Sequence, residues 1–522
     1  MENVLSIHDE LRKRASFSPH RLAMKDAHHE VTFEELDSRA NQVAHALRDA
    51  GFESGDTLAV LLSNRLEWGE IQYGCFRAGV VPAGINFMFA PNQVAHAVES
   101  VDADGFLFES EFRNLVVDSR DAFDIPDDRM VELGDETDYR SYDGFVADAS
   151  ASAPSFPGLA TDEYAVIWFT SGTTGQPKPL VWTQESLINH FLIHGTALGV
   201  NETDYSLLLM PFFHGNSQAY FMSQLYLGGS VYVHRGREFD PEETMSIMER
   251  EGVTFTSMVP THYNQMIHDA DIDEYDLSSL RTVLSSSAPL SQALKREIVE
   301  TMDCDVAESY GSTEAGMPIM LRPEDQLEKI GSIGTPLPGC DAAILDEETL
   351  EPVDDGEIGE MYMRMPFGMD CYYGMPEKTD EVIVRRDGAR WMTAGDMGRT
   401  DEDGYFYMVN RKHDMIISGG ENVYPTHIEE AIHEHEAIQD VAVVGVPDEK
   451  WGEAIHAVAI PTGDEEPSIE EIREFLRGSV ADYEIPKGID YVDELPRTST
   501  GKVVREDVRE RYWDGQRDYS KL

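Results

Sequence analysis

Four hydroxyls, two glycines and a lysine are packed into residues 169–178, Phe-Thr-Ser-Gly-Thr-Thr-Gly-Gln-Pro-Lys. Thr170, Ser171, Thr173 and Thr174 supply the hydroxyls, Gly172 and Gly175 let backbone N–H groups turn inward, and Lys178 adds a fixed positive charge. A loop of this composition is suited to wrap a polyphosphate. It is not the common nucleotide P-loop, which needs Gly-Lys followed by Ser or Thr; here Pro177 and Pro179 flank the lysine. The apolar run 164–169 just before it reads as a buried strand.

Six further segments carry chemistry. Residues 211–216 read Pro-Phe-Phe-His-Gly-Asn, and 285–289 read Ser-Ser-Ser-Ala-Pro. Residues 308–314, Glu-Ser-Tyr-Gly-Ser-Thr-Glu, combine an aromatic face, a glycine turn, hydroxyls and a carboxylate. Residues 391–396, Trp-Met-Thr-Ala-Gly-Asp, present an acid after a tight turn. Arg411 and Asp414 precede Ile-Ile-Ser-Gly-Gly-Glu-Asn-Val-Tyr-Pro at 416–425, and Pro-Arg-Thr-Ser-Thr-Gly-Lys at 496–502 places a lysine near the C-terminus. No G-x-S-x-G elbow occurs, which argues against a hydrolase built on that motif. His433-Glu434-His435-Glu436 has the look of a metal cluster, but no partner Cys pair follows and a solvated helix end is the simpler reading.

In order and spacing these motifs resemble the AMP-forming acyl-CoA synthetases of the adenylating superfamily, along essentially the whole chain. The resemblance implies a large N-terminal domain, a small mobile C-terminal domain and two half-reactions in one cleft. A carboxylate first attacks the α-phosphorus of ATP to give an acyl-adenylate and pyrophosphate; the thiol of CoA then displaces AMP. A carboxylate and a triphosphate repel each other, so such a site must neutralise charge and hold both in line.

The resemblance also implies roles. The loop Thr170, Ser171, Gly172, Thr173, Thr174, Gly175 and Lys178 holds the leaving phosphates, and Glu314 with Thr170 holds Mg²⁺. Tyr310 stacks on adenine; Ser287, Ala288, Pro289 and Glu308 line the base pocket, with Ser309, Gly311, Ser312 and Thr313 beside them. Asp396 accepts from the ribose hydroxyls, and Arg411 helps from the interdomain side. Lys502 bridges the substrate carboxylate and the α-phosphate; a compact charge on a flexible stem suits a residue that arrives for one step and leaves for the next. His214 stands beside the acyl pocket, and Ser418, Gly419 and Gly420 line the pantetheine path once the small domain turns. His413 occupies the hinge position where the family usually carries Asp or Lys. With an ordinary pKa near physiological pH, it would make the domain rotation pH-sensitive. Ala394, Pro179 and Asn410 replace the usual Thr, Gly and Gly.

The substrate expectation is an acid without an α-ammonium group, because residues 213–216 offer no carboxylate to pair with one. Apolar Phe212, Tyr220, Met317, Ile319 and Met320 favour a fatty acid, with an aryl acid as the alternative. Two rivals are a stand-alone adenylation domain that loads a carrier protein and a non-catalytic nucleotide-binding relative.

Composition bounds the partners. The net charge of −57 over 522 residues repels nucleic acid and anionic membrane. The acids are spread along the chain and lysine is scarce, as in a protein adapted to molar salt, where the Debye length is about 3 Å. No apolar run reaches a membrane span, residues 1–14 do not read as a signal peptide, and Cys75, Cys304, Cys340 and Cys371 form no C-x-x-C pair. A cytoplasmic enzyme without a stable membrane anchor, monomer or homodimer, follows from this reading.

The elements that must position these groups alternate. Helical spacing at 33–50 and 68–78 and apolar strands at 57–62 and 80–85 are followed by a Ser/Ala/Pro-rich linker at 148–160. Strand, loop and helix signals continue at 185–198, 205–210, 241–251 and 254–259. This pattern predicts α/β subdomains at 1–163 and 164–330. Short β runs punctuated by Gly and Pro predict a small β subdomain at 331–410 and so an N-terminal domain of 1–410. A hinge at 411–414 and an α+β lid domain at 415–522 complete the chain.

Overall fold

The computed structural model describes residues 6–135, 137–171, 176–236, 238–288, 290–346, 348–411, 414–418, 421–448, 450–463, 466–477, 479–481, 483–498 and 501–513; of Ser171, Arg411, Ile417, Glu421, Asn422 and Gly452 it describes the backbone. Two large sheets carry the N-terminal part. One has nine strands, running from Thr335–Pro336 through Gly316–Leu321, Asp305–Ser312, Thr282–Ser285, Phe255–Met258, Tyr205–Leu208 and Ser230–Val233 to Leu22–Lys25 and Glu30–Thr32. The other has eight, with Thr57–Leu61, Val81–Gly84 and Gly105–Glu109 beside Tyr164–Ser171 and Pro177–Thr183. Central strands such as Thr57–Leu61 and Ser230–Val233 are buried at every residue, as strands covered on both faces must be.

Each sheet draws strands from both sides of residue 163. Strands 164–183 complete the sheet begun by 57–109, and strands 22–32 close the edge of the sheet built by 205–336. The expected split into 1–163 and 164–330 therefore does not separate the two sheets. The reason is that non-local pairing, which leaves no mark on local composition, decides sheet membership. The segment 148–160 is a packed strap. Asn41 Nδ2 donates to the Ala151 carbonyl at 2.9 Å, Leu159 N donates to the Phe76 carbonyl at 2.9 Å, and Gln184 Nε2 donates to the Leu159 carbonyl at 2.8 Å.

Helices start where capping residues stand. Thr32 and Glu35 form a capping box at Phe33–Asp49, and Ser468 with Glu471 does the same at Ile469–Leu476. Helix Gly215–Leu227 is different: it lies between the two large sheets with nearly every residue buried. A helix surrounded by protein shows no amphipathic period, so its sequence does not announce it.

A five-stranded sheet follows, in which Ala389–Thr400 pairs with Gly359–Arg364, Ile383–Arg386 and Phe406–Arg411. The last sheet pairs Ile438–Asp448, Gly452–Pro461, Ile416–Ser418 and Glu421–Val423, with Gly488–Tyr491 on its edge. Helices Pro425–His433 and Ile469–Leu476 contribute Ile428, Ile432, Ile472 and Leu476 to the core on it. Among the described residues no helix is long and apolar enough to cross a membrane.

At Gly311 strand Asp305–Ser312 approaches the start of Gly316–Leu321 closely. A Cβ there would lie 1.7 Å from the Gly316 carbonyl oxygen. Gly311→Ala is expected to cost about 1–3 kcal/mol, read as a lower calorimetric Tm. Gly463→Ala, with open space around it, should leave Tm unchanged.

Candidate active site

Strand Tyr164–Ser171 and its partner Pro177–Thr183 set Thr170 opposite Lys178 at the base of the hydroxyl-rich loop. Gly172, Thr173, Thr174 and Gly175 lie outside the described residues, as do Pro289, His413, Gly419 and Gly420. Thr170 Oγ1 is buried without a hydrogen-bond partner. Lys178 Nζ sits 4.8 Å from the centre of the Tyr372 ring, and the Tyr372 hydroxyl donates to Glu314 Oε1 at 2.6 Å. Tyr372 thus ties the loop lysine to the motif glutamate. Burial, with Glu314 adding, pushes its phenol up, so it remains a donor at all ordinary pH.

The 308–314 motif is positioned by partners from distant elements. Trp182 Nε1 donates to the Thr313 carbonyl at 3.1 Å, and Ala315 N donates to Ser312 Oγ at 3.1 Å. Tyr310 donates its hydroxyl to Asp396 Oδ2, joining the expected adenine-stacking ring to the expected ribose acid. Asp396 is 2% exposed and stands opposite Arg411 in the ladder. The turn before it uses Gly395 at φ +74°, and Gly395 N donates to Thr393 Oγ1 at 2.9 Å. Glu308 faces inward, where Lys295 Nζ lies 2.6 Å from its Oε2. Burial raises the Glu308 carboxyl while Lys295 opposes. Ser309 Oγ lies 3.2 Å from His194 Nε2.

Ser287 holds a left-handed conformation, φ +70°, on an exposed turn, and Asn216 Nδ2 donates to both Ser286 Oγ (3.0 Å) and Ser287 Oγ (2.9 Å). Ala288 follows it, half-buried. His214 occupies the N-cap position of helix Gly215–Leu227, its ring 4.4 Å from that of Phe213. In the C-terminal part, Lys502 closes a tight turn in which Thr498 N donates to the Lys502 carbonyl at 2.7 Å and Lys502 N donates to Thr498 Oγ1 at 3.2 Å. This turn lies against the large domain: a Cβ on Gly501 would be 3.5 Å from Thr261 Oγ1 and Val259 Cγ2. Ser418 is buried in strand Ile416–Ser418.

Two cavities adjoin this cleft. One lies between helix Gly215–Leu227 and strands Tyr205–Leu208, Ser230–Val233 and Phe255–Met258. The second is lined by Asn64, Phe87, His234, Phe239 and His262, and shares Met210 with the first. Of the apolar residues expected around the acid, Tyr220 lines the first cavity and donates to Met317 Sδ at 3.3 Å. Phe212 instead stacks on Trp68, and Ile319 and Met320 are held in the core by pairing on both sides. Tyr372, Lys295, His194 and Trp182 were invisible as site residues because each reaches its partner from another part of the chain. Asn216 sat within a quoted motif without a role.

Residues 11–373 match the AMP-binding enzyme model and residues 427–502 match the AMP-binding enzyme C-terminal domain. The feruloyl-CoA synthase of an Amycolatopsis species is 32% identical over 96% of this chain and 98% of its own. The fatty acid–[acyl-carrier-protein] ligase ScoC of Streptomyces coeruleorubidus is 30% identical over 92% of each chain. The structure of the anthranilate CoA ligase AuaEII in complex with anthranoyl-AMP superposes with a TM-score of 0.89 at 26% identity over 97% of each chain. The chain belongs to the AMP-binding enzyme family, and it is an AMP-forming acid–thiol ligase with that family's large and small domains.

Burial shapes the site's response to acid. His8, His190, His214 and His262 are each pushed down to about 4, with burial the largest cause. The unfolded chain takes up these protons below about pH 6.5, and the folded chain does not until about pH 4. The stability they confer is therefore complete above 6.5 and falls as pH drops towards 4, by about 1.4 kcal/mol per pH unit for each group. Urea midpoints in molar salt, which screens general repulsion, should fall between pH 7 and pH 5. His190, whose ring nitrogens both lack partners, gives the control: His190→Phe should flatten the slope.

Proposed function

We propose that this ligase joins a carboxylic acid, a fatty acid by first preference and an aryl acid as the alternative, to CoA through an acyl-adenylate. The observation that carries this reading is the convergence of Lys178, Glu314, Tyr310 and Asp396 through two tyrosine hydrogen bonds, with the Lys502 turn docked against Val259 and Thr261. The first cavity, lined by Leu208, Met210, Tyr220 and Phe221, borders Asn216 at the start of the same helix as His214.

The acid oxygen attacks the α-phosphorus, forming the acyl–phosphate bond and breaking the bond to pyrophosphate. Lys178 and the loop hydroxyls hold the leaving group, Asp396 and Tyr310 hold ribose and adenine, and Lys502 offsets the repulsion between the two anions. The orphaned Thr170 Oγ1 and the single carboxylate of Glu314 fit Mg²⁺, which takes one or two carboxylates alongside phosphate oxygens. Bound there, the ion would neutralise charge on the phosphates. His214, neutral at working pH, shapes the acyl and thiol approaches without adding charge. In the second half-reaction the thiol sulfur attacks the acyl carbon and AMP departs. The second cavity, touching the first at Met210, gives a thiol arm an approach, and Ser418, Gly419 and Gly420 would flank it after the lid turns.

Free CoA is the acceptor we favour; loading of a carrier protein is the competing outcome. A cytoplasmic monomer or homodimer adapted to high salt agrees with the charge of −57.

Lys502→Ala should lower acid-dependent exchange of labelled pyrophosphate into ATP by about 100-fold or more while Tm stays unchanged. Full-speed exchange would sink the proposal. CoA-dependent thioester formation from purified adenylate separates CoA from carrier-protein chemistry. Salt adaptation predicts that Tm rises between low and molar salt; an unchanged Tm would remove that part of the reading.

A further inference from the structure

Strand Tyr205–Leu208 ends at Leu208, whose carbonyl accepts from His234 N at 3.0 Å, and helix Gly215–Leu227 begins after His214. The segment between them, 209–213, lies outside the strands, so no ladder meets its backbone groups. One side chain meets three of them. Asn64 Nδ2 donates to the carbonyls of Leu209 (3.2 Å) and Met210 (3.1 Å), and Phe212 N donates to Asn64 Oδ1 at 2.7 Å. The amide spends its donors and its acceptor on a single segment. Asn64 is 5% exposed, so bulk water hardly competes for these bonds.

Asn64 belongs to the other sheet's side of the cleft. It stands in the connection between strand Thr57–Leu61 and helix Glu67–Ala78. That connection is itself tied down. Ser63 N and Oγ donate to Glu109 Oε2 at 3.1 and 2.6 Å, and Arg65 donates to Glu109 Oε1 at 2.7 Å and to Glu67 Oε1 at 2.8 Å. Trp68 Nε1 donates to the Ser63 carbonyl at 3.0 Å, and its ring stacks on Phe212 with centres 4.9 Å apart. A braced loop of the eight-stranded sheet thus grips an irregular segment of the nine-stranded one.

The gripped segment borders both cavities. Leu209, Met210 and Pro211 line the second and Met210 also lines the first. It runs on into His214 and into Asn216, which holds Ser286 and Ser287. Leucine has nearly the shape of asparagine, but in its place two carbonyls and one N–H would be buried and unmet, and the segment would shift to find partners. A displacement of about 1 Å near a reacting centre can cost about 100-fold in rate.

We propose that Asn64 is a positioning residue for the ligation. Its amide fixes residues 209–212 and, through them, His214 and the wall that the two cavities share at Met210. This inference rests on the ligase reading above.

The test measures kcat and KM for pyrophosphate release with decanoate and with cinnamate, in molar salt and well below the Tm of each variant. Asn64→Leu should lower kcat about tenfold or more while KM for ATP moves less than about threefold. Asn64→Asp gives the second readout. Ionised, it sets negative oxygens against the Leu209 and Met210 carbonyls; protonated, it donates to one of them and still accepts from Phe212 N. Its kcat relative to wild type should therefore rise as pH falls from about 8 to about 6. Arg65, Glu67 and Glu109 on one side and His214, His234, Glu238 and His262 on the other are common to variant and wild type, so the ratio at each pH removes their titration. General loss of stability runs the opposite way, because the buried histidines weaken the fold in acid.

An unchanged kcat in folded Asn64→Leu, or a flat ratio in Asn64→Asp, overturns the proposal. If Asn64→Leu does not fold, Asn64→Asp alone decides. If the wild-type chain releases no pyrophosphate with either acid, the ligase reading falls by itself. Amide exchange of the peptide 209–216 then decides this one: it should be about tenfold or more faster in Asn64→Leu than in wild type, and equal protection overturns it.

Discussion

Gln218 sits in the first turn of the buried helix Gly215–Leu227, on which the reaction cleft is hung. Its Oε1 accepts from Trp168 Nε1 at 2.9 Å, on a strand of the eight-stranded sheet, and from Gln72 Nε2 at 3.1 Å. The two bonds fix the buried helix Gly215–Leu227 to the eight-stranded sheet and to helix Glu67–Ala78, while its opposite face borders the cavity against the other sheet. That asymmetry creates the cavity. It also fixes His214 and Asn216 at the helix start, beside the Ser286–Ser287 turn. A buried acceptor with two good donors loses heavily if either is removed. The position of the helix, and with it the depth of the cavity, is thus set by polar contacts rather than by apolar packing alone.

The electrostatics follow from the same economy. A chain of net charge −57 has few cations to place. Among the described residues of the cleft they stand beside motif acids or at its mouth: Lys178 over Tyr372 next to Glu314, Lys295 on Glu308, and the Lys502 turn on the lid. The buried pair Lys295–Glu308 lies behind the motif strand, and both its charges are felt by Glu430 on the lid helix Pro425–His433, whose carboxyl is raised chiefly by burial. The large domain therefore presents the lid with a nearly balanced ion pair rather than a bare charge. Docking against it demands little rearrangement of charge, which suits a contact that must be made and released in every turnover.

Much of this was legible in the sequence. The loop around Lys178, the motif ending in Glu314, Asp396 after Gly395 and Lys502 near the C-terminus could be read because each concentrates unusual residue types in a few positions. Amphipathic period and a capping box announced Phe33–Asp49, and the glycine stop at Gly79 marked the end of the almost wholly buried Glu67–Ala78. Gly215–Leu227 did not, since burial on all sides erases the period. Tyr372, Trp182 and Gln218 could not be found either: their partners lie 58, 131 and 50 residues away, and only sheet pairing brings them together. The interleaving of the two sheets across residue 163 was hidden for the same reason.

Chemistry and selectivity occupy different parts of this architecture. The groups suited to phosphorus chemistry sit on loops and strand ends where two or three elements meet, so their geometry depends on long-range pairing that tolerates little change. The groups that line the first cavity sit on one face of one helix and on the strands that face it. A substitution at Gln224 or Ser206 alters the lining of the cavity without touching the Tyr310–Asp396 or Tyr372–Glu314 contacts. Relatives that act on ferulate, on fatty acids and on anthranilate can therefore share one catalytic frame. In this chain the frame is combined with a cavity in which apolar Leu208, Met210, Tyr220 and Phe221 stand beside Ser206, Ser217 and Gln224.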